Sequence, residues 1–544
     1  MNALSARRLR IISWTVFSMA CLLFVFLNYV FYTNVGILWR DEISSVAVAD
    51  MPTLSDTVAN FATAGAPSLF PAILHFWIKI GMDASDDWLR LLPFLISLGV
   101  VAALVWRGVR SGGRPPLLAL ALLAFNPTVF YWGASVRPYG LTVIFIVVLF
   151  GSLQRMLQEP SIKNAASAAV AAVLAAQSSF QSSYLIAALC AATAIAGIAV
   201  KKKSCALFAV AAGAIAGLSL VPYALALSNG VNWVRTLQTP FEELSLWRTI
   251  EYSLGSAGIA MIHVWIMLIT GALIVPPLLL LSGWKTEKGR DRFATSLYAA
   301  TAIPLSVLGM ILFLWMVGIS PSPWRTIPLM ALLAMAVDAA LGAAGDGRRA
   351  LIGVMGTACL VISLCLPTMW FWAHVHFTNI DTIAAHLMRD ERPGDFAVIM
   401  LPFCGISFDR YYDGRTPWMT MPPIPHEDLA QYDKVMRHYM NSPQETLDPL
   451  IDKITETLQS GGRVWMIGGM PTMLTDGERA HDLIPAPHPV YGWNIDGYLY
   501  DWQENLGALL RAHVLQVTPI DIPQEQGVMP HEKLPLELIE GWQQ

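Results

Sequence analysis

The strongest constraint on the fold is a series of apolar stretches that are long enough to cross a lipid bilayer as helices. A transmembrane helix needs about 20 consecutive, mostly apolar residues. Eleven stretches of the sequence fit this description, and they cover residues 11–32, 88–106, 115–132, 138–157, 164–181, 183–200, 205–227, 256–283, 294–317, 327–345 and 350–372. A shorter apolar stretch at residues 69–81 predicts an interfacial helix rather than a further span.

The composition agrees with a membrane protein that has many spans. Hydrophobic residues make up 55% of the 544 residues and charged residues only 14%, whereas soluble proteins carry about 25% charged residues. The net charge of -4 gives no indication of nucleic-acid binding, and the six cysteines lack the paired spacing of a disulfide framework or a zinc site. The basic N-terminus precedes an apolar stretch without a small-residue cleavage site, which predicts a retained anchor.

The distribution of basic residues predicts the orientation of the helices. Cytoplasmic loops of membrane proteins carry an excess of lysine and arginine. If the N-terminus is cytoplasmic, alternate spans bring every basic cluster to that side, namely Arg7, Arg8, Arg10, Arg107, Arg110, Arg114, Arg155, Lys163, Lys201, Lys202, Lys203, Lys285, Lys288, Arg290, Arg292, Arg348 and Arg349. The loops on the other side carry basic residues singly or in pairs, so these few residues are candidates for a function.

The chain divides into two predicted domains. Residues 1–372 form a transmembrane domain whose first outer loop spans residues 33–87, and residues 373–544 form a small α/β domain outside the membrane. In the second domain the patterns predict one helix and two buried strands, at residues 381–388, 395–401 and 463–467. The Pro-rich residues 418–427 predict a loop.

An acidic pair follows the first span, in Trp39-Arg40-Asp41-Glu42. Acidic side chains close to a bilayer usually pair, contact water or take part in chemistry. A carboxylate at the water-accessible mouth of a membrane site is suited to accept a proton from a hydroxyl group. The alternative for Asp41 and Glu42 is a helix-capping pair with Arg40 as its partner.

Two arginines on the predicted outer side adjoin prolines that suit the first turn of a helix. Arg137 lies before Pro138 and Tyr139, and Arg325 follows Pro323. A guanidinium group beside the free N–H groups of a helix start favours an anion. The alternative for both arginines is an interfacial anchor. His75, in the apolar stretch 69–81, belongs to an aromatic group typical of a membrane interface.

These motifs, in this order, resemble those of the GT-C superfamily of polytopic glycosyltransferases, most closely the branch of the lipid A aminoarabinose transferases and protein O-mannosyltransferases. Asp41-Glu42 resembles the acidic motif after the first span of that family. The other similar segments are Pro67 to Trp77, Arg90 to Pro93, Asn126-Pro127, Ser135 to Tyr139, Trp324 to Thr326, and Arg392 to Asp395, which resembles the start of a small periplasmic domain.

The resemblance implies a GT-C-like polytopic α-helical membrane protein with a small C-terminal α/β extracytoplasmic domain. It implies transfer of a sugar from a polyprenyl-phosphate donor to a lipid, glycan or protein acceptor, at the outer face of the cytoplasmic (inner) membrane and with inversion. Asp41 would then be the base, and Glu42 would orient it or tune its pKa. The substrate contacts would be Arg137, Tyr139, Arg325 and His75.

Two departures from the family pattern concern metal binding. Ser135 stands where relatives often carry a glutamate, and Ala66 stands where many carry histidine or lysine. Both positions can lie near the metal or the donor phosphate in relatives. No cofactor is therefore assigned, and a divalent metal is left open.

Two other functions remain open from the sequence. Eleven spans with a charged outer loop are compatible with a transporter or lipid flippase, in which coupling groups lie near the middle of the membrane. Asp338, inside the stretch 327–345, is the main acidic residue that could serve this purpose. A non-catalytic GT-C-like subunit is the third alternative, and Ser135 and Ala66 favour it.

Overall fold

The computed structural model describes residues 3–61, 65–110, 114–224, 243–282, 286–319, 321–345, 347–470, 482–524 and 526–543. These residues form two compact units. The first unit consists of helices and ends at Ala373, and the second combines Asn34–Val48 with the chain from His374 onward.

The helices up to Ala373 are Ala3–Asn34, Arg40–Ala49, Leu54–Ala59, Leu69–Lys79, Asp86–Arg110, Leu117–Ala124, Pro127–Gly133, Tyr139–Gln158, Ile162–Ser178, Ser182–Ala199, Lys203–Ser219, Glu243–Leu254, Ile259–Ser282, Glu287–Val317, Pro323–Ala344 and Arg348–Trp372. Eight helices in the described part of the chain are long and apolar enough to cross a membrane. They begin at Arg8, Asp86, Tyr139, Ser182, Ile259, Glu287, Pro323 and Arg348. The protein is therefore a multi-pass membrane protein.

The three other predicted spans are helical but shorter. Ile162–Ser178 and Lys203–Ser219 have 17 residues each. The stretch 115–132 forms two helices, Leu117–Ala124 and Pro127–Gly133, so the prediction of one continuous helix there is wrong. The residue before a proline disfavours helical dihedral angles, and Asn126 accordingly has ψ 123° and accepts a hydrogen bond from the Val129 N–H group. The total of eleven spans stays a prediction.

Several basic residues of the predicted cytoplasmic loops bind the ends of helices. The Lys202 ammonium group donates to the carbonyl oxygens of Leu157 and Gln158 and lies 3.0 Å from an Asp291 oxygen. Arg292 donates to the Ala343 carbonyl oxygen near the end of Pro323–Ala344. Positive charge at a helix C-terminus satisfies its unpaired carbonyl groups and its dipole. These residues therefore stabilise helix ends.

The second unit contains a five-stranded sheet with the order β3-β2-β4-β7-β5. Strand β2 pairs in parallel with β3 and β4, whereas β7 pairs antiparallel with β4 and β5. A separate parallel pair joins β1 and β6. The strands are β1 Val375–His376, β2 Phe396–Ile399, β3 Trp418–Thr420, β4 Arg463–Ile467, β5 Val514–Ile520, β6 Gly527–Val528 and β7 Leu536–Trp542. The helices of this unit after His374 are Ile380–Asp390, Gly405–Tyr411, Tyr432–Asn441, Asp448–Gln459 and Ile495–His513, and Pro402–Cys404, His426–Gln431 and Pro530–Glu532 form short 3-10 helices.

The predicted helix and the two predicted buried strands of this unit are confirmed as Ile380–Asp390, β2 and β4. The predicted loop at 418–427 is wrong at both ends, because Trp418–Thr420 is a strand and a 3-10 helix begins at His426. Pairing with β2, a contact that the local sequence does not encode, makes this segment a strand.

A buried ion pair fixes the start of β2. Asp395 accepts hydrogen bonds from Arg463 at 2.6 Å and 3.0 Å and from the Trp465 indole at 3.1 Å. Gly394, with φ +91°, makes the turn before it. The burial of Asp395 alone would raise its pKa, but the hydrogen bonds from Arg463 and Trp465 outweigh that effect and lower it.

Candidate functional site

The two residues of the acidic pair have different surroundings. Glu42 is fully buried, and its carboxylate accepts the Trp39 backbone N–H group at 3.2 Å. Trp39 immediately precedes the helix Arg40–Ala49, so Glu42 caps the start of that helix. The Asp41 side chain is 34% exposed, with a carboxylate oxygen 3.6 Å from Arg40 Nε. The capping alternative thus describes Glu42, and Asp41 is the more accessible carboxylate.

Arg40 lies between two carboxylates. Its Nε atom is 3.3 Å from Glu532 Oε1 and 3.6 Å from Asp41 Oδ1. The guanidinium carbon lies 4.0 Å from the ring centre of Phe403, at a distance typical of a cation–π contact. Glu532 could not be predicted from the sequence as a partner of Arg40, because it lies near the other end of the chain and no local pattern links the two residues.

Glu532 is held in an apolar, hydrogen-bonded environment. Its side chain is fully buried, and the Cys404 thiol donates to Oε1 at 3.8 Å. Burial raises the pKa of Glu532, and the negative charge of Asp41 adds to this effect, whereas Arg40 and hydrogen bonds from Thr378 and Cys404 lower it. The balance of these effects is a pKa of about 7. Burial and the negative charge of Glu532 also raise the pKa of the Cys404 thiol well above its ordinary value.

Contacts within the second unit position the segment that carries Asp41. The Tyr411 hydroxyl accepts the Leu38 N–H group at 3.0 Å, and the Trp39 ring stacks on Phe377 with an interplanar angle of 11°. Gly36 has φ +74°, and a side chain there would come within 3.1 Å of the His376 ring. Both features require glycine at this turn.

Arg137 lies in a tight connection between the helices Pro127–Gly133 and Tyr139–Gln158. Gly140 packs against the Gly133 carbonyl oxygen, and an added Cβ atom would lie only 2.4 Å from it. Arg137 and Tyr139 are both half-buried, and the guanidinium carbon lies 5.9 Å from the tyrosine ring centre. Pro138 directly precedes the helix that begins at Tyr139, so Arg137 stands next to a helix start, as the sequence predicts.

Arg325 lies in the first turn of Pro323–Ala344. It lines a small, partly open pocket. The other walls are largely apolar and include Tyr184, Leu246, Met310, Phe313 and Leu314. The pocket therefore combines one cationic group with a surface that suits hydrocarbon.

Contacts inside the first unit bring the segments of the two arginines to the same end of the helices. The Trp132 and Trp324 rings are 4.8 Å apart, and each precedes one of the arginines by a few residues. The Thr326 hydroxyl donates to the Ser253 hydroxyl, and the Ser253 carbonyl oxygen accepts from Asn126. Two helix starts with an arginine each are therefore packed together.

His75 is buried and makes contacts within its own unit. Its Nδ1 atom lies 2.7 Å from the Ala49 carbonyl oxygen and 3.3 Å from the Thr57 hydroxyl. These contacts link the helix Leu69–Lys79 to the preceding segments. The interaction of His75 with a substrate stays a prediction.

No metal site is evident in the part of the chain that the structure describes. Within those residues, no three His, Cys, Asp or Glu side chains are grouped so that they could hold a metal ion. The requirement for a divalent metal stays open.

Comparisons with known proteins give a match at the level of structure. No family model matches the chain, and no curated protein matches it either. The crystal structure of ArnT from Cupriavidus metallidurans in the apo state matches with a TM-score of 0.50 and 11% identity, over 96% of this chain and 97% of that chain. The chain therefore shares the fold of this ArnT structure.

Two further structures are similar at lower scores. ArnT from Cupriavidus metallidurans bound to undecaprenyl phosphate is 10% identical, with a TM-score of 0.45 over 96% of this chain and 98% of that chain. The arabinofuranosyltransferase AftD from Mycobacteria is 13% identical, with a TM-score of 0.42 over 96% of this chain and 40% of that chain.

Proposed function

We propose that this protein transfers a sugar from a polyprenyl-phosphate-linked donor to a lipid, glycan or protein acceptor, at the outer face of the cytoplasmic membrane. The observation that carries the proposal is the GT-C fold, which extends over 96% of the chain. The surroundings of Arg137, of Arg325 and of Asp41 each give further support to this proposal.

The two arginines have the properties of phosphate ligands. Each stands at a helix start on the predicted outer side, where basic residues are few. Arginine binds phosphate oxygens with two parallel hydrogen bonds and stabilises the negative charge that grows on a departing phosphate. Arg325 also adjoins an apolar pocket, which matches the combination of phosphate and hydrocarbon in a prenyl phosphate.

Asp41 has the properties of a general base. Its side chain is part-exposed, whereas the neighbouring Glu42 is buried and bound to the Trp39 backbone. In the proposed step Asp41 accepts the proton of an acceptor hydroxyl whose oxygen attacks the anomeric carbon. The bond from that carbon to the phosphate oxygen breaks, and the electron pair leaves with the prenyl phosphate. Attack opposite the leaving group inverts the anomeric centre.

The surroundings of Asp338 speak against the transporter alternative. One Asp338 oxygen lies 2.6 Å from Arg107, and both side chains are buried. A coupling residue of a transporter must be able to bind and release an ion. Asp338 is instead paired with Arg107, so the main acidic candidate from the sequence has a structural explanation.

Binding of undecaprenyl phosphate to Arg137 variants tests the phosphate role. We expect Arg137→Ala to weaken binding about 10- to 100-fold, because hydrogen bonds to charged groups contribute roughly 1.5–3 kcal/mol. Arg137→Lys should restore little of it, since lysine lacks the planar fork. The exposed Arg155, paired with Glu159, provides the control variant Arg155→Ala. Wild-type binding by both Arg137 variants would make Arg137 an interfacial anchor.

Transfer from a labelled prenyl-phosphate sugar tests the reaction itself. The wild-type protein should form a product with an inverted anomeric centre, and Asp41→Asn should not. Donor binding without product would identify a non-catalytic subunit. Movement of intact donor across vesicles without product would identify a flippase.

A further inference from the structure

Arg40 is shared unequally by two carboxylates. The distance from Arg40 Nε is 3.3 Å to Glu532 and 3.6 Å to Asp41. Glu532 is fully buried, whereas Asp41 retains 34% exposure of its side chain. The closer and less accessible carboxylate therefore competes with Asp41 for the same guanidinium group.

The position of Glu532 is determined by the second unit. The Cys404 thiol donates to its carboxylate, and Thr378 forms a further hydrogen bond with it. The guanidinium carbon of Arg40 lies over the Phe403 ring, 4.0 Å from its centre. Arg40 is thus held both by an aromatic ring and by a buried carboxylate.

An arginine with one neighbouring carboxylate tends to form a bidentate pair with it. Such a pair would engage both oxygens of Asp41 and make it a poorer proton acceptor. We propose that Glu532 is a positioning residue that holds Arg40 away from a bidentate pair with Asp41 and so keeps Asp41 available as the base. This inference rests on the proposed function, in which Asp41 accepts the proton of the acceptor.

The titratable groups around this pair make its effect depend on pH. Burial raises the pKa of Glu532 to about 7, so its charge changes near neutral pH. The groups that interact electrostatically with Arg40 or Glu532 are Asp41, Cys404, Tyr432, Asp496 and His531. Burial and Arg40 both lower the pKa of His531. Near neutral pH, Glu532 is therefore the group whose ionisation offsets the positive charge of Arg40.

The test measures kcat and donor KM of Glu532→Gln across the pH range in the full-length protein. We expect kcat to fall about tenfold, as neighbouring charges commonly couple at this level, with little change in donor KM. The acidic limb of the pH–rate profile should move to lower pH, because the full Arg40 charge then acts on the base.

Glu532→Asp keeps the charge and should recover part of kcat. Glu504→Gln removes another buried carboxylate of the same unit and should keep the wild-type profile.

A double substitution tests whether Glu532 acts through Arg40. In an Arg40→Gln background, Glu532→Gln should change kcat far less than it does in the wild type. If Glu532→Gln does not fold, Phe403→Leu removes the ring beside the guanidinium group and leaves every charge in place. It should lower kcat with an unchanged donor KM.

The outcomes separate this inference from the proposed function. A wild-type rate and pH profile in folded Glu532→Gln, while Asp41→Asn is inactive, would overturn the positioning role alone. Full activity of Asp41→Asn would overturn both the base and its positioning residue. Additive effects of the Arg40 and Glu532 substitutions would also contradict the inference.

Discussion

At the scale of single residues, the neighbouring carboxylates Asp41 and Glu42 have different surroundings in the folded protein. Asp41 and Glu42 form one acidic motif, but Glu42 is turned inward to the Trp39 backbone and Asp41 is part-exposed beside Arg40. The sequence motif alone does not distinguish them, since both are carboxylates near a helix start. Their substitution should therefore affect different properties of the protein.

We expect Asp41→Asn to lower kcat by about 10²- to 10⁴-fold, the usual effect of losing a general base. Its melting temperature should remain close to that of the wild type. Glu42→Ala removes a helix-capping carboxylate and should cost roughly 1 kcal/mol of stability. Transfer assays and thermal unfolding of both purified variants check this. Equal loss of activity at equal stability in the two variants would mean that the motif acts as a unit.

The raised pKa of Glu532 predicts a pH dependence of stability. Burial raises it from 4.5 to about 7, so the folded protein holds the proton more tightly than the unfolded chain. The stabilising contribution is complete below pH 4.5 and is lost as the pH rises through about 7. Between these two pH limits, the contribution of Glu532 to the free energy of unfolding changes by about 3 kcal/mol. Thermal unfolding at a series of pH values should show that the stability of Glu532→Gln depends less on pH than that of the wild type. Identical pH dependence in the two proteins would contradict the raised pKa of Glu532.

At the scale of elements, buried charge pairs connect segments that are distant in sequence. Arg107, in the last turn of Asp86–Arg110, pairs with Asp338 of the helix Pro323–Ala344. Arg463 pairs with Asp395 across two neighbouring strands. In both cases removal of one partner leaves a charge without compensation in an apolar environment.

Arg107→Met should therefore be strongly destabilising, by about 3–5 kcal/mol. The double variant Arg107→Met with Asp338→Leu should recover much of that loss, because no buried charge remains. Arg155→Ala disrupts a more exposed pair with Glu159 and should cost less than about 1 kcal/mol. Thermal unfolding in one detergent compares the variants. A loss as small for Arg107→Met as for Arg155→Ala would show that Asp338 finds another partner.

At the scale of the whole molecule, the sequence makes a prediction about orientation. All basic clusters fall on one side if eleven apolar stretches cross the membrane, although eight helices of the described residues reach the length of a span. The helices Ile162–Ser178 and Lys203–Ser219 have 17 residues each, fewer than the about 20 residues that a membrane-spanning helix needs. The side of the membrane on which each loop lies therefore tests the predicted total of eleven spans.

Reporter fusions after Arg114 and after Lys203 should give a cytoplasmic signal, because both positions follow basic clusters. A fusion at Gln544 should give an external signal. Matched fusions after Asn34 provide the external control. A cytoplasmic signal at Gln544 would require an even number of spans and would contradict the predicted total of eleven.

Features that depend on neighbouring residues could be predicted from the amino-acid sequence. Apolar length located the long helices, Pro138 and Pro323 indicated helix starts, and the β-rich run at Arg463–Ile467 was a strand as predicted. The order of short motifs resembled that of the aminoarabinose transferases, and the ArnT structure has the same fold as this chain. These signals are local because periodicity, proline geometry and hydropathy act over a few residues.

Which of these residues come into contact depends on the folded chain. The pairing of β3 with β2 and the partner of Asp338 depend on contacts between distant segments. Glu532 is the clearest case, since the chain must fold before a carboxylate near its end reaches Arg40. Burial and charge then change the chemistry of that carboxylate, and neither effect exists in the unfolded chain.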